Sequence, residues 1–464
     1  MVVDIVIKNG KVVFPTGVTE TGIAVKGEKI VALAPAEYLP EAVRTIDAKG
    51  KYVIPGFVDA HAHVDTGFMA KRETYDQSFE NETKAAAVGG VTTIGTMPIV
   101  ESILESFDIW VKAWENNAVA DSVFHFYTSS EKHLEELPRC PDLGIVTPGE
   151  MGGYKGRQAE VTSGYVDDWR LFRYLEEVAK WGPPGRFMLH AENIDILIWL
   201  IERVIAEGRK DSAAWSDARP AWGEVDTLQT YVLLSKVTRC PIFIVHNTCK
   251  GSVDVIKKAK DEGVDILAET CPQYLTMHKK SLHMYPAGAN ANPPLREEED
   301  MEALWKGLRD GVIDTIGSDH APWTKADKGD DIMVAPMGFG NVFSTMLPVM
   351  ITYGVNEGKI SVERMVETCC YNPAKFMGVL PQKGIIAVGS DADIVIVDME
   401  KKMVPKAADL YSSSDINVYE IMEVELKGWP VLTMLRGNII MENGKVVGKK
   451  GTGKYIPVKL LNRK

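Results

Sequence analysis

The chain has 464 residues, 25% of them charged and 45% hydrophobic, with 52 basic against 64 acidic side chains and a net charge of −12. This is the composition of an ordinary folded protein, and it excludes disordered, collagen-like and coiled-coil classes. The acidic balance argues against nucleic acid or an anionic membrane surface as partner, since both are polyanions.

The opening stretch, MVVDIVIKNGKVVF, has no basic segment leading into a long apolar run, so no signal peptide is read there. The longest apolar runs, such as residues 196–201, fall far short of the roughly 18 residues that a membrane span requires. Residues 4–8, 11–14, 22–25 and 29–34 read as short strands, with Asn9-Gly10 as a hairpin turn. From residue 50 onward the rhythm changes, and short apolar runs alternate with helical patterns. Eight such runs occur: YVIPGFV (52–58), VTTIGTM (91–97), SVFHFYT (122–128), GIVT (144–147), RFML (186–189), PIFIV (241–245), DILAE (265–269) and VIDTIG (312–317). Helices fall between several of them, for example SVDVIKKAKDEG (252–263), with apolar residues at helical spacing and a glycine stop. Eight parallel strands close a (β/α)8 TIM barrel. The β-rich style returns after residue 376, over 384–398 and 431–448. The expected architecture is therefore α/β. A barrel over 54–375 is inserted in a small β-sandwich domain built from 1–53 and 376–464. The six cysteines, at 140, 240, 249, 271, 369 and 370, form no CxxC pair and no disulfide framework, which points to reduced thiols and the cytoplasm.

Metal-binding side chains cluster just past the strand ends. The first run leads into Asp59-Ala60-His61-Ala62-His63, where two histidines at i and i+2 on extended chain face the same way. The fifth run ends at His190, the sixth at His246 and the eighth at Asp319-His320. In a TIM barrel the C-terminal strand ends form one mouth, so these side chains converge there. Imidazoles and a carboxylate suit a divalent ion, zinc first, with cobalt or manganese as close fits. Such an ion activates water and polarises a carbonyl, and Asp319 is placed to take up the proton and pass it to a leaving nitrogen. His320 either lines the site or bonds substrate. His125, His133, His278 and His283 take structural roles.

These motifs resemble the amidohydrolase superfamily, in its cyclic-amidohydrolase branch of hydantoinase, dihydropyrimidinase, allantoinase and dihydroorotase. The resemblance runs along essentially the whole chain through IPGFVDAHAH (54–63), LHAEN (189–193), FIVHNTCKGSVDVIKKAKDEGVDILAETCPQYL (243–275), NPPLR (292–296), GVIDTIGSDHAP (311–322), NPAKFMGV (372–379) and KGIIAVGSDADIVIVD (383–398). It implies a metal-dependent hydrolase that cleaves a carbonyl–nitrogen bond in a small non-peptide molecule, with a cyclic amide or ureide favoured. Acyclic amides, carbamates and thiocarbamates are the second class. A non-catalytic scaffold, as in the branch's cytoskeletal adaptors, fits less well because His61, His63, His190, His246 and Asp319 are all kept. The resemblance also implies a homo-oligomer, tetramer or dimer.

Two departures stand out. Most of the branch has a carbamylated lysine on strand four, bridging two metals. Here Gly144 and Tyr154-Lys155-Gly156 fit the family spacing without a gap, and the lysine position is Gly149. Glu150 is the neighbouring carboxylate. Either Pro148-Gly149 turns it inward to substitute as a ligand, or it points out to the helix layer and leaves a site that binds one ion tightly and a second weakly or not at all. Secondly, Asp65 stands where dihydroorotase has a carboxylate-gripping arginine, which argues against that substrate. Tyr154 matches a tyrosine that stabilises the developing oxyanion, Asn292 matches a substrate-contacting position, and Asn341 lies in the family's substrate loop.

Overall fold

The computed structural model describes residues 2–150 and 166–461. Tyr154 falls outside the described residues.

Both chain ends contribute to a nine-stranded sheet. Its order runs Lys445–Val446, Asn438–Glu442, Leu426–Leu435, Ile394–Met403, Tyr52–Pro55, Val3–Phe14, Gly17–Lys26 and Lys29–Ala34, with Ala42–Asp47 parallel to Val3–Phe14. The N-terminal expectation of two strands is corrected here. Val3–Phe14 is one strand, and the register shifts between Ile7 and Gly10 with Asn9 at φ 56°. Asn9-Gly10 is thus a bulge, not a hairpin turn. Sheet continuity on both sides overrides the local turn signal. The chain reverses afterwards, between Phe14 and Gly17.

The TIM barrel follows. Phe57–Ala62, Val91–Thr96 and Asp121–Phe124 form one parallel arc, and Phe187–Leu189, Ile242–Ile244, Ile266–Thr270 and Thr315–Ile316 form another. The arcs join at two seams. At one, Gly149 donates to the Phe126 carbonyl, and Arg186 and Met188 donate to the carbonyls of Val146 and Pro148. At the other, Asp319 N donates to the His61 carbonyl and His63 N to that of His320. Residues 144–147 therefore occupy the fourth strand position without regular strand geometry. Pro148 has no N–H to give, and Gly149 and Glu150 both take positive φ, at 139° and 51°.

The run 52–58 serves two sheets. Val53 and Ile54 pair with Ile396 and Val395 in the terminal sheet, and Phe57 begins the barrel. Gly56 stands between them, where a Cβ would lie 2.1 Å from the Thr92 hydroxyl. The inner wall of the barrel is apolar, with Val58, Ala60, Val123, Met188 and Phe243 buried together. A buried ionic knot ties barrel to terminal sheet. Lys383 Nζ donates to Asp121 at 2.6 Å, Asp393 at 2.8 Å and Asp391 at 2.9 Å, and Arg436 also reaches Asp121. All six cysteines are free and buried. Among the described residues, no helix is long and apolar enough to cross a membrane.

Candidate metal centre

The barrel mouth gathers a cluster of imidazoles and carboxylates. His61, His63, Glu150 and Asp319 each present one ligand atom, and these atoms lie within 4.8 Å of one another. Glu150, His190 and His246 form a second such group, so Glu150 belongs to both. His61 Nε2 lies 3.3 Å from Glu150 Oε1 and 3.6 Å from Asp319 Oδ1. His63 Nε2 lies 3.4 Å from Glu150 Oε2 and 3.3 Å from Asp319 Oδ1. His190 Nδ1 and His246 Nε2 face each other at 3.0 Å.

Glu150 reaches the cluster because of Gly149. A Cβ at position 149 would sit 2.3 Å from the Met188 carbonyl oxygen, so this backbone admits no side chain there, lysine included. The left-handed conformation of Glu150 then swings the next carboxylate into the mouth.

The electrostatics follow from burial and charge. Burial opposes protonation of His61, but Glu150 and Glu269 outweigh it and hold His61 well above its usual value. His63 behaves alike, with burial overcome by Glu150 and Asp319, and reaches about 10. Burial raises Glu150 and Asp319, yet the histidines beside them hold both carboxylates below the usual range. Burial, aided by His190, brings His246 down to about 3. With protons on His61 and His63, the cluster balances its own charge. A cation would replace those protons. His61 Nε2 and Glu150 Oε2 are buried with no hydrogen-bond partner, which fits an ion-binding site.

Two of the histidines are braced from behind. His61 Nδ1 donates to Glu269 Oε1 at 2.9 Å, which turns Nε2 to the mouth. His190 Nε2 donates to Glu192 Oε2 at 2.8 Å, and Glu192 is paired with Arg219, whose Nε lies 2.9 Å from Oε1. The NPPLR segment closes this layer through Arg296, which donates to Thr248 at 2.8 Å and to Glu224 at 3.0 Å. Asp59 Oδ1 accepts from the backbones of His61 and Ser318, and burial pushes the Asp59 carboxyl up to about 7.

The pocket beside the cluster is lined by the polar His63, Glu150 and Asp319 and by the apolar Met69, Ile99, Trp323 and Met337, together with Asn292 and Tyr127. Two of the residues singled out from the sequence lie outside this lining. His320 is absent from this lining. It is fully buried, donates from Nε2 to Glu82 at 2.8 Å and stacks on Phe343 at 4.1 Å, so it anchors the loop after the eighth strand. Asn341 is also buried away from the pocket, and its amide donates to the carbonyls of Ser414 and Ile416, each at 2.9 Å. His125 is buried against Thr147, at 2.6 Å, and His133 bonds the Val100 carbonyl, at 3.0 Å. The bracing groups Glu269, Glu192, Arg219, Glu82 and Asp59 are missed by sequence reasoning. Acidic residues inside apolar strand ends, as in DILAE and FVDA, are the signal that was there to read.

Known proteins point the same way. The profile described as the Amidohydrolase family matches residues 225–440, and a second profile of that description matches 44–94. The chain is 36% identical to the D-hydantoinase of Ralstonia pickettii, with 98% of each chain covered. The chain belongs to the amidohydrolase family. This amidohydrolase is also 32% identical to the allantoinase of Bacillus licheniformis, over 98% of this chain and 99% of that one. In three dimensions it superposes on the dihydropyrimidinase of Brevibacillus agri with a TM-score of 0.89, at 30% identity and 99% coverage of each chain.

Proposed function

We propose that this amidohydrolase hydrolyses a carbonyl–nitrogen bond in a small cyclic amide or ureide, with a divalent ion held at the barrel mouth. The names hydantoinase and allantoinase among its relatives support that substrate class. The observation that carries the reading is the convergence of His61, His63, Glu150, Asp319, His190 and His246 beside one pocket. We assign these six side chains as the ligands. Glu150, shared by both groups, stands in for the strand-four lysine and makes room for a second ion. Zinc suits this nitrogen and oxygen donor set, and cobalt or manganese suits it nearly as well.

When bound, the ion supplies Lewis acidity that polarises a carbonyl and acidifies water. The protein supplies the rest. Asp319, ionised and on the pocket wall, accepts a proton from the attacking water and returns it to the leaving nitrogen. Asn292 contacts substrate. The apolar wall of Met69, Ile99, Trp323 and Met337 favours a neutral substrate body.

Two further features bear on assembly and compartment. Trp222, Leu233 and Val237 are exposed and fall on one face of the helix Ala221–Thr238. Such a face favours a homo-oligomer, which light scattering checks. Six buried, unpaired cysteines suit a reducing cytoplasm.

The deciding experiment is a turnover screen of metal-reconstituted protein on hydantoins, dihydrouracil, allantoin, lactams, imides, anilides and (thio)carbamates, read by mass spectrometry. Hydrolysis of a cyclic ureide or imide is the expected result. Turnover confined to acyclic substrates would overturn the assignment.

A further inference from the structure

Asn292 lines the pocket but is only 6% exposed. Its two amide ends are treated differently. Oδ1 accepts from the indole Nε1 of Trp215 at 3.2 Å, whereas Nδ2 is buried with no partner. An indole nitrogen donates and never accepts. Turning the amide over would set two donors face to face, so Trp215 fixes Asn292 with its oxygen toward the indole and leaves its NH2 group without a protein partner.

Trp215 is itself held firmly. Its Nε1 also donates to the Ala291 carbonyl at 2.9 Å, its ring is buried, and the Arg219 guanidinium lies 5.1 Å from the ring centroid. That same Arg219 pairs with Glu192, which braces His190. The segment Ala214–Ala218 and the arginine after it thus support both the metal cluster and the substrate amide.

We propose that Trp215 is a positioning residue that presents the Asn292 NH2 to a second, non-reacting carbonyl of the substrate, selecting two-carbonyl rings over single-carbonyl lactams. The inference rests on the amidohydrolase reading above. The Asn292 NH2 is a neutral donor, and it suits a carbonyl oxygen.

The test uses the metal-loaded full chain and Trp215→Phe, which keeps an aromatic ring beside Arg219 and removes the donor together with part of the ring volume. For hydantoin, KM is expected to rise about tenfold with kcat within twofold of wild type, the scale of one neutral hydrogen bond. The inhibition constant of 2-pyrrolidinone, which has one carbonyl, is expected to change less than twofold. Adding Trp215→Phe to Asn292→Ala is expected to cost nothing further. Equal loss on both ligands, or an unchanged KM for hydantoin, would overturn the inference. A second readout is independent of turnover. In protein carrying 15N-labelled tryptophan, the indole signal lost in Trp215→Phe is expected to shift in Asn292→Ala, and an unmoved signal would overturn the inference. Wild-type holoenzyme that hydrolyses no two-carbonyl ring would instead refute the functional reading, leaving the tryptophan signal to judge Trp215 alone.

Discussion

Glu269→Gln removes a charge behind the cluster while keeping the shape of the side chain. Glu269 is fully buried and accepts the Nδ1 proton of His61 at 2.9 Å. At an effective dielectric of about 20, a unit pair at that distance interacts by roughly 6 kcal/mol. Desolvation cancels most of this in a buried pair. Carboxylates that brace metal-binding histidines are worth 10–100-fold in ion affinity, or about 1.4–2.7 kcal/mol. Glu269→Gln is therefore expected to weaken zinc binding by one to two orders of magnitude, measured by competition with a chromophoric chelator at fixed pH. Circular dichroism should remain that of wild type, since glutamine fits the same space. Affinity within twofold of wild type would refute the claim that Glu269 tunes His61 for an ion.

Other consequences are equally concrete. His61 and His63 are held above their usual values, so the metal-free cluster carries protons at pH 7 that an ion must displace. Calorimetry in buffers of different ionisation enthalpy should report at least one proton released per ion bound, with affinity rising as pH rises. The sign for the fold is opposite. A raised His63 stabilises the metal-free protein fully below its ordinary 6.5, and that contribution is lost as pH climbs through about 10. Lys383→Met leaves Asp121, Asp391 and Asp393 buried around an uncharged side chain, and is expected to cost about 3–5 kcal/mol, seen as a lower midpoint in denaturant. An unchanged midpoint would show that the knot between barrel and terminal sheet contributes no net stability.

The barrel and the histidines are legible in the sequence because both follow short-range rules. An apolar run marks a strand, and a histidine just past it points into the mouth. Glu150 is legible for a different reason. Gapless spacing from Gly144 to Tyr154 sets a glycine at the lysine position, and the structure adds why a side chain cannot fit there. What the sequence hides is direction and distance. His320 and Asn341 lie close to the site along the chain, yet their side chains turn to Glu82 and to residues 414–416. Glu269 meets His61 across 208 residues, and Trp215 meets Asn292 across 77, contacts that no local pattern encodes. The Asn9-Gly10 turn fails in the reverse way, because a strong local signal yields to the pairing of the strand on both sides.

The central claim is that Glu150 holds the ion in place of a lysine. Metal content of reconstituted wild type and Glu150→Ala, measured by plasma mass spectrometry after gel filtration, tests it most directly. Wild type should retain at least one ion per subunit, and Glu150→Ala should lose at least half of that together with its activity. Unchanged metal content and activity in Glu150→Ala would contradict the account.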